Sequence, residues 1–265
     1  MTRNRSDRLY AHPFCLDYWR DAMAEFRDVR VLVFAALMIA LRVATKPFQI
    51  PIGPSLNINL VQMIVNAVGA MTFGPVVAAA AAAVTDVVGY LVFPDGPYFF
   101  PFIFTEIAGS VIFALFLYRA DISLRRVILC RFCMVFLVNI VLQSPIMLLY
   151  YRMILGKEYT LINGTRIIKN LLLFPAESVL LTLLLRSVVP PLHRLKFIVS
   201  RVDGLRLDRR CLLVLGELTL ISGLAVWLYY QKTLDTVAAL ILGGMIAVVI
   251  LMVGIESGNK VEEKS

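Results

Sequence analysis

The chain has 265 residues, 60% of them hydrophobic and only 17% charged, with a formal net charge of +8. A soluble globular chain carries about 25% charged residues, so these proportions, with a mean hydropathy of +0.81, exclude an ordinary soluble domain and indicate an integral membrane protein. The positive excess then belongs to loops held on the cytoplasmic side rather than to nucleic-acid recognition.

Taken from the N-terminus, residues 1–30 hold six arginines and five acids with no continuous apolar stretch, which is not the pattern of a signal peptide. The segment HPFCLDYWRDAMAEF carries Phe14, Tyr18, Trp19 and Phe26. It reads either as a helix lying along the membrane surface or as a solvated tail. Eight apolar helices follow, expected over 31–45, 59–73, 76–93, 101–118, 127–151, 166–189, 211–230 and 233–255. Gly74-Pro75 marks a tight turn between the second and third, and Pro145 and Pro175 mark kinks. The expected fold class is an all-α membrane protein, a six-helix bundle followed by an extra C-terminal two-helix transmembrane hairpin. The expected organisation is 1–28 as a cytoplasmic, interfacial segment, 29–190 as the six-helix core, 191–210 as a basic cytoplasmic linker, and 211–265 as hairpin and tail.

Lysine and arginine counts orient these spans. Nineteen fall on the side that carries both termini and six on the other, with Arg42 inside the first helix. The richer side is expected to be cytoplasmic.

The first helix, FAALMIALRVAT, carries alanines four residues apart and a charge. At about 100° per residue, Ala36, Ala40 and Ala44 fall near 0°, 40° and 80°, and Arg42 near 240°, on the opposite face. Small residues at that spacing let a second helix approach closely, either a partner's or a neighbour's in this chain. Arg42 either lines a polar interior, the usual role of an intramembrane charge, or snorkels to the nearby interface. Further polar stripes run along Asn59, Gln62 and Asn66, along Asp86 and Tyr90, along Asn139 and Gln143, and along Arg166, Asn170 and Glu177. Each alone is compatible with interhelical hydrogen bonding, while several in one small bundle point to a polar cavity. The loops PFQIPIGPSLNI and PDGPYFFP are too apolar for ordinary solvated loops and suit a cover over its mouth, with aromatics able to stack on a flat ligand.

Other signals carry no chemistry. Cys130 and Cys133 have CxxC spacing but open a membrane helix, Cys15 and Cys211 form no matching pair, and His12 and His193 are the only histidines. No metal site and no cofactor are expected. There is no GxxxxGK[ST] phosphate loop and no Ser/His/Asp set, so ATP hydrolysis and hydrolytic catalysis are not expected of this chain. Asn163-Gly-Thr165 is a glycosylation sequon, meaningful only in a secretory-pathway host.

The ordered set AxxxA, the FGP turn, DxxGY, FPxGxYF and RxxKNxxxxPxE, found within residues 29–190, resembles the substrate-binding S component of energy-coupling factor (ECF) vitamin transporters, most closely the folate-specific branch. The resemblance implies six helices holding one vitamin near the external face. The alanine face of the first helix would dock on a transmembrane coupling subunit, driven by two separate ATPase subunits. On that resemblance Ala36, Ala40 and Ala44 meet the coupling subunit and Arg42 faces the vitamin. Arg166 and Lys169 attract its carboxylates, and Asn170 and Gln62 read the pterin edge. Tyr98 and Phe99 stack or close the lid, and Asp86 accepts from the aminopyrimidinone. A packing role for Asp86, linked to a tyrosine, stays open beside that one. The hairpin at 211–255 and the N-terminal segment depart from the family pattern. Two other functions remain: an S component for another vitamin or a queuosine precursor, and a membrane-anchored interaction protein or enzyme using the hairpin.

Overall fold

A computed structural model describes residues 9–10, 13–48, 50–53, 56–58, 60–94, 96–158, 160, 164–195, 197–202, 205 and 208–262. Parts of both expected mouth loops, with Asn59 and Asn163 of the polar and sequon readings, lie outside the described residues.

The chain is predominantly helical. After α1 (Leu16–Ala24) and a single 3-10 turn, α2 (Val29–Thr45) starts at Asp28, whose carboxylate accepts from the Arg30 N–H at 2.9 Å and caps an otherwise unpaired helix end. A short antiparallel hairpin, β1 (Ile50–Gly53) and β2 (Leu56–Ile58), precedes α3 (Leu60–Val92). Then come α4 (Phe102–Leu117) and α5 (Leu124–Cys133), which runs through a π-helical stretch, Met134–Leu142, into α6 (Gln143–Tyr150). The widened turns end where Pro145 removes a backbone donor. The last helices are α7 (Gly164–Arg194), α8 (Arg209–Tyr230) and α9 (Thr236–Glu262). Pro175 lies buried within α7.

Among the described residues, five helices are long and apolar enough to cross a membrane: Val61–Val92, Leu124–Leu155, Gly164–Arg194, Arg209–Tyr230 and Thr236–Ser257, with Phe102–Leu117 a shorter apolar helix. The first of these is bent. An unbroken helix over α3 would separate Asn66 and Thr85 by about 28 Å, yet both line one small cavity. The chain therefore folds back at Gly74, which leaves helical geometry with φ 76°. A side chain there would be strained by that φ, and its Cβ would stand 3.1 Å from the Tyr118 ring.

One apolar core joins the elements. Met71 of α3, Phe113 and Leu117 of α4, Leu124 and Ile128 of α5, Phe174 and Leu181 of α7, Leu215 of α8 and Ile250 of α9 are all buried in it. The C-terminal helices pack on α5 and α7, while α2 packs on α3. The approach is close: a Cβ on Gly243 would come within 2.9 Å of Leu171. This hairpin is part of the core.

Both segments expected as peripheral are tied down. Tyr18 and Ala22 of α1 are fully buried, the Tyr18 hydroxyl donates to the Ala114 carbonyl at 3.1 Å, and the Tyr118 hydroxyl donates to Glu25 at 2.9 Å. Arg119 pairs with Asp21 and with Glu25. A solvated tail is excluded, and Tyr18 is buried inside the protein rather than facing a membrane interface. The region 191–210 is also more than a linker. It begins as the last turn of α7, and Ile198, Val199 and Ser200 are buried. Arg201 donates its N–H to Ala120 O and accepts from Ile122 N–H, and Phe197 stacks on Phe34 of α2 at 5.1 Å.

Candidate functional site: a charged recess between α2 and α3

On α2 the side chains separate by face. Val31, Ala35 and Arg42 are buried; Ala36, Ala40 and Ala44 are exposed, as are Val33 and Leu37. Arg42, 5% exposed, donates from Nη2 to Glu106 of α4 at 2.5 Å. Its Nε is buried with no hydrogen-bond partner among the described residues. The guanidinium does not snorkel outward: a carboxylate on the neighbouring helix neutralises it inside the bundle. Charge at membrane depth is costly unless paired in this way.

Arg42 forms part of the wall of a narrow recess, with a cavity volume of about 10 Å3, together with Met38 and Ile39 of α2 and Asn66, Gly69, Phe73, Ala78, Ala81 and Thr85 of α3. Asn66 accepts from Ser110 of α4 at 2.7 Å. The alanine run at 78–83 gives α3 the narrow face that leaves this space, and Arg42 and Asn66 supply its polarity. That space holds about one water molecule, far less than the roughly 300–1,000 Å3 of pockets for drug-sized ligands, so any such ligand enters only by displacing the lining.

The other expected site residues form separate groups. Asp86 accepts from the Tyr98 hydroxyl at 3.1 Å, and Tyr98 packs on Tyr90 at 4.8 Å between ring centres. Burial, and then the bond to Asp86, hold the Tyr98 phenol above its ordinary titration range, so it stays a donor. Lys46 donates to the carbonyls of Gly89 and Phe93 at 3.3 and 3.0 Å, closing the same end of α3. Phe99 is buried against Phe102 and Tyr150. Asn170 accepts from Asn139 at 2.7 Å and donates to the Arg166 carbonyl at 2.9 Å. Gln62 and Arg166 are half-buried on α3 and α7. Lys169 lines a second cleft, with Thr165, Ile168, Leu172, Val226, Tyr229 and Tyr230, between α7 and α8. Of the expected ligand-binding residues, Arg42 alone lines the first recess.

Glu106 and Glu177 are assigned no ligand or partner from the sequence, yet each neutralises a buried arginine, Glu106 that of Arg42 and Glu177 that of Arg131. Arg131, one of the nineteen cations counted on the side that carries both termini, lies in α5 and is 4% exposed. The partners stand 64 and 46 residues apart, so no helical spacing couples them. The available signal was that an arginine within a span requires a counter-ion.

Comparison with known proteins follows the same part of the chain. The folate transporter FolT of Clostridium novyi (strain NT) is 29% identical over 155 residues, 58% of this chain and 87% of that protein. A crystal structure of FolT bound with folic acid is 28% identical, covering 57% of this chain and 88% of that one, with a TM-score of 0.49. The model of the family described as ECF-type riboflavin transporter, S component, matches residues 27–190. Those residues run from the last residue before the α2 cap to the final turns of α7 and take in the whole Arg42 recess, so the chain is a multi-pass membrane transport subunit, not an enzyme, and belongs to the ECF-type S-component family.

Proposed function

We propose that this protein is the substrate-binding subunit of an ATP-driven ECF importer and that it captures folate at the external face. The observation that carries the reading is the match to a protein named as a folate transporter over 87% of its length. The intramembrane Arg42, set in the wall of a recess, is the physical feature that supports it. The glutamate tail of folate suits a guanidinium, and its pterin suits amides, a carboxylate and tyrosine rings. In this reading Arg42, Arg166 and Lys169 attract the carboxylates. Gln62 and Asn170 read the pterin edge, Asp86 accepts from the aminopyrimidinone, and Tyr98 and Phe99 cover it. The recess widens as the vitamin enters.

The proposed membrane topology has six core helices: α2, the two arms of α3, α4, the α5–α6 rod and α7. The α8–α9 hairpin follows, and both termini are cytoplasmic. We assign 1–28 and 191–210 to the cytoplasmic side, 29–190 to the binding core and 211–265 to the hairpin and tail. The coupling subunit docks on Ala36, Ala40 and Ala44. Their exposure supports this, as does the packing of the hairpin on α5 and α7, away from α2. ATP hydrolysis resides on two separate subunits.

The test is binding of radiolabelled folate to the purified protein. Submillimolar binding that weakens in Arg166→Ala is expected; binding no tighter than millimolar overturns the proposal. Riboflavin is the second reading, because the matching family model carries its name. Thermal shift with folate, riboflavin and a queuosine precursor separates them, since a ligand that binds the folded state raises the apparent melting temperature.

A further inference from the structure

The C-terminal hairpin carries a carboxylate that no described residue pairs with. Glu217 lies in α8, in the candidate span Arg209–Tyr230, and is exposed. It makes no hydrogen bond or ion pair with any described residue. The helix begins at Arg209, so Glu217 stands about 12 Å along the axis from that end. A span of 22 residues matches the hydrocarbon thickness of about 30 Å, so the carboxylate lies at membrane depth. Its side chain is too short to snorkel out in the manner of lysine or arginine.

The surface around it is built for close approach. Leu213, Leu220, Leu224 and Trp227 are exposed on the same side, while Leu215, Ser222, Ala225 and Val226 are buried toward the protein. Gly216 and Gly223, seven residues apart, are exposed on that outer side, and a Cβ on either would meet nothing within 4 Å. Among the described residues no contact requires their small size. Together they leave a shallow strip beside an unneutralised carboxylate.

We propose that this face of α8 docks a transmembrane helix of a separate protein, one that carries a lysine or arginine at the depth of Glu217. A basic group there converts a lone charge in lipid into a pair, and the two glycines let the helix axes come close. A second copy of this chain is the poorer occupant. Between residues 211 and 257 the only lysine or arginine is Lys232, in the turn after α8. A symmetric contact would bring one Glu217 against the other.

The full chain in liposomes, with a donor dye on a terminal tag, is titrated with dye-labelled leucine-rich transmembrane peptides. One peptide has a single lysine at the matching depth, one has leucine there, and one has the lysine two helical turns away. The matched lysine peptide is expected to associate about tenfold more tightly than the other two. Glu217→Gln and, independently, Gly216→Leu are expected to abolish that preference. Equal binding of the three peptides, which needs no protein variant, overturns the proposal. So does a lysine preference that survives Glu217→Gln. Single-molecule photobleaching supplies a further check: dimers of this chain that Gly223→Leu dissociates would make the second copy the occupant and overturn the heterologous partner.

Discussion

The binding core and the C-terminal hairpin treat charge at membrane depth in opposite ways. In the core, Arg42 and Arg131 are buried, and each is met by an acid from another helix, Glu106 or Glu177. In the hairpin, Glu217 faces outward with no counter-ion among the described residues. Both cannot follow from tolerance of stray charge, since each unpaired ion in hydrocarbon costs several kcal/mol. The difference teaches that paired charges mark where the molecule closes on itself and an unpaired one marks where it is left open.

The sharpest way to break that comparison is at the other exposed face. Ala40→Trp on α2 adds bulk in the middle of the exposed row of Ala36, Ala40 and Ala44, without touching the recess. Uptake in cells carrying the full importer is expected to be lost while folate binding by the purified subunit stays within twofold of the parent, about 0.4 kcal/mol. Loss of binding as well would mean that the alanine face supports the pocket rather than a partner.

The buried pairs come next. Removing one partner of a buried ion pair costs about 3–5 kcal/mol, because the other charge is stranded. Glu177→Leu is expected to abolish or severely depress the thermal transition of the purified protein. Arg131→Met with Glu177→Leu is expected to restore most of it, because well-packed apolar groups are a near-neutral replacement for a buried pair. Failure of the double variant would show that the pair does more than cancel its own charge. Gly74→Ala is smaller, about 1–3 kcal/mol, from a positive φ imposed on a side chain. Arg42→Gln is expected to weaken folate binding by about 10- to 100-fold, as loss of a charge-assisted hydrogen bond costs about 1.5–3 kcal/mol. Glu217→Gln is expected to leave folate binding unchanged.

The helices were legible because apolar length is local information. Five long spans and the breaking role of Gly74-Pro75 follow from composition and from glycine's tolerance of positive φ. The two faces of α2 were legible for the same reason, because 3.6-residue periodicity separates Ala36, Ala40 and Ala44 from Arg42 before any partner is known. Pairing was not legible. The choice of Glu106 rather than Asp86 as counter-ion to Arg42 depends on how α2 and α4 each pack on α3, and a periodic pattern has no access to it. Lys169 shows the same limit. It shares α7 with Asn170, one residue on, but the rotation of 100° between neighbours sets it toward the α8 cleft while Asn170 meets Asn139. The burial of α1 was hidden because its anchors, Tyr118 and Arg119, lie about a hundred residues away.

The smallest expected effect separates the two roles open to Asp86. Tyr98→Phe removes one hydroxyl donor and keeps the ring that packs on Tyr90. A hydrogen bond to a carboxylate contributes about 1.5–3 kcal/mol when buried, and solvent around the part-exposed Tyr98 screens it to about 1 kcal/mol, so the melting temperature is expected to fall by only a few degrees. Because the folded phenol titrates above its ordinary value of 10.0, its contribution is full below that pH and is lost as pH rises through the folded value. Wild type is therefore expected to lose slightly more stability than Tyr98→Phe on going from pH 9 to strongly alkaline solution, about 1 kcal/mol at most. Asp86→Asn keeps a carbonyl for Tyr98 to donate to but removes the negative charge. If Asp86 serves packing alone, Asp86→Asn leaves both stability and folate binding near those of the parent. If it accepts from the vitamin's ring, folate binding falls well beyond the effect of Tyr98→Phe while the melting temperature does not, because a ligand contact is absent from the empty protein and a packing contact is present in both states.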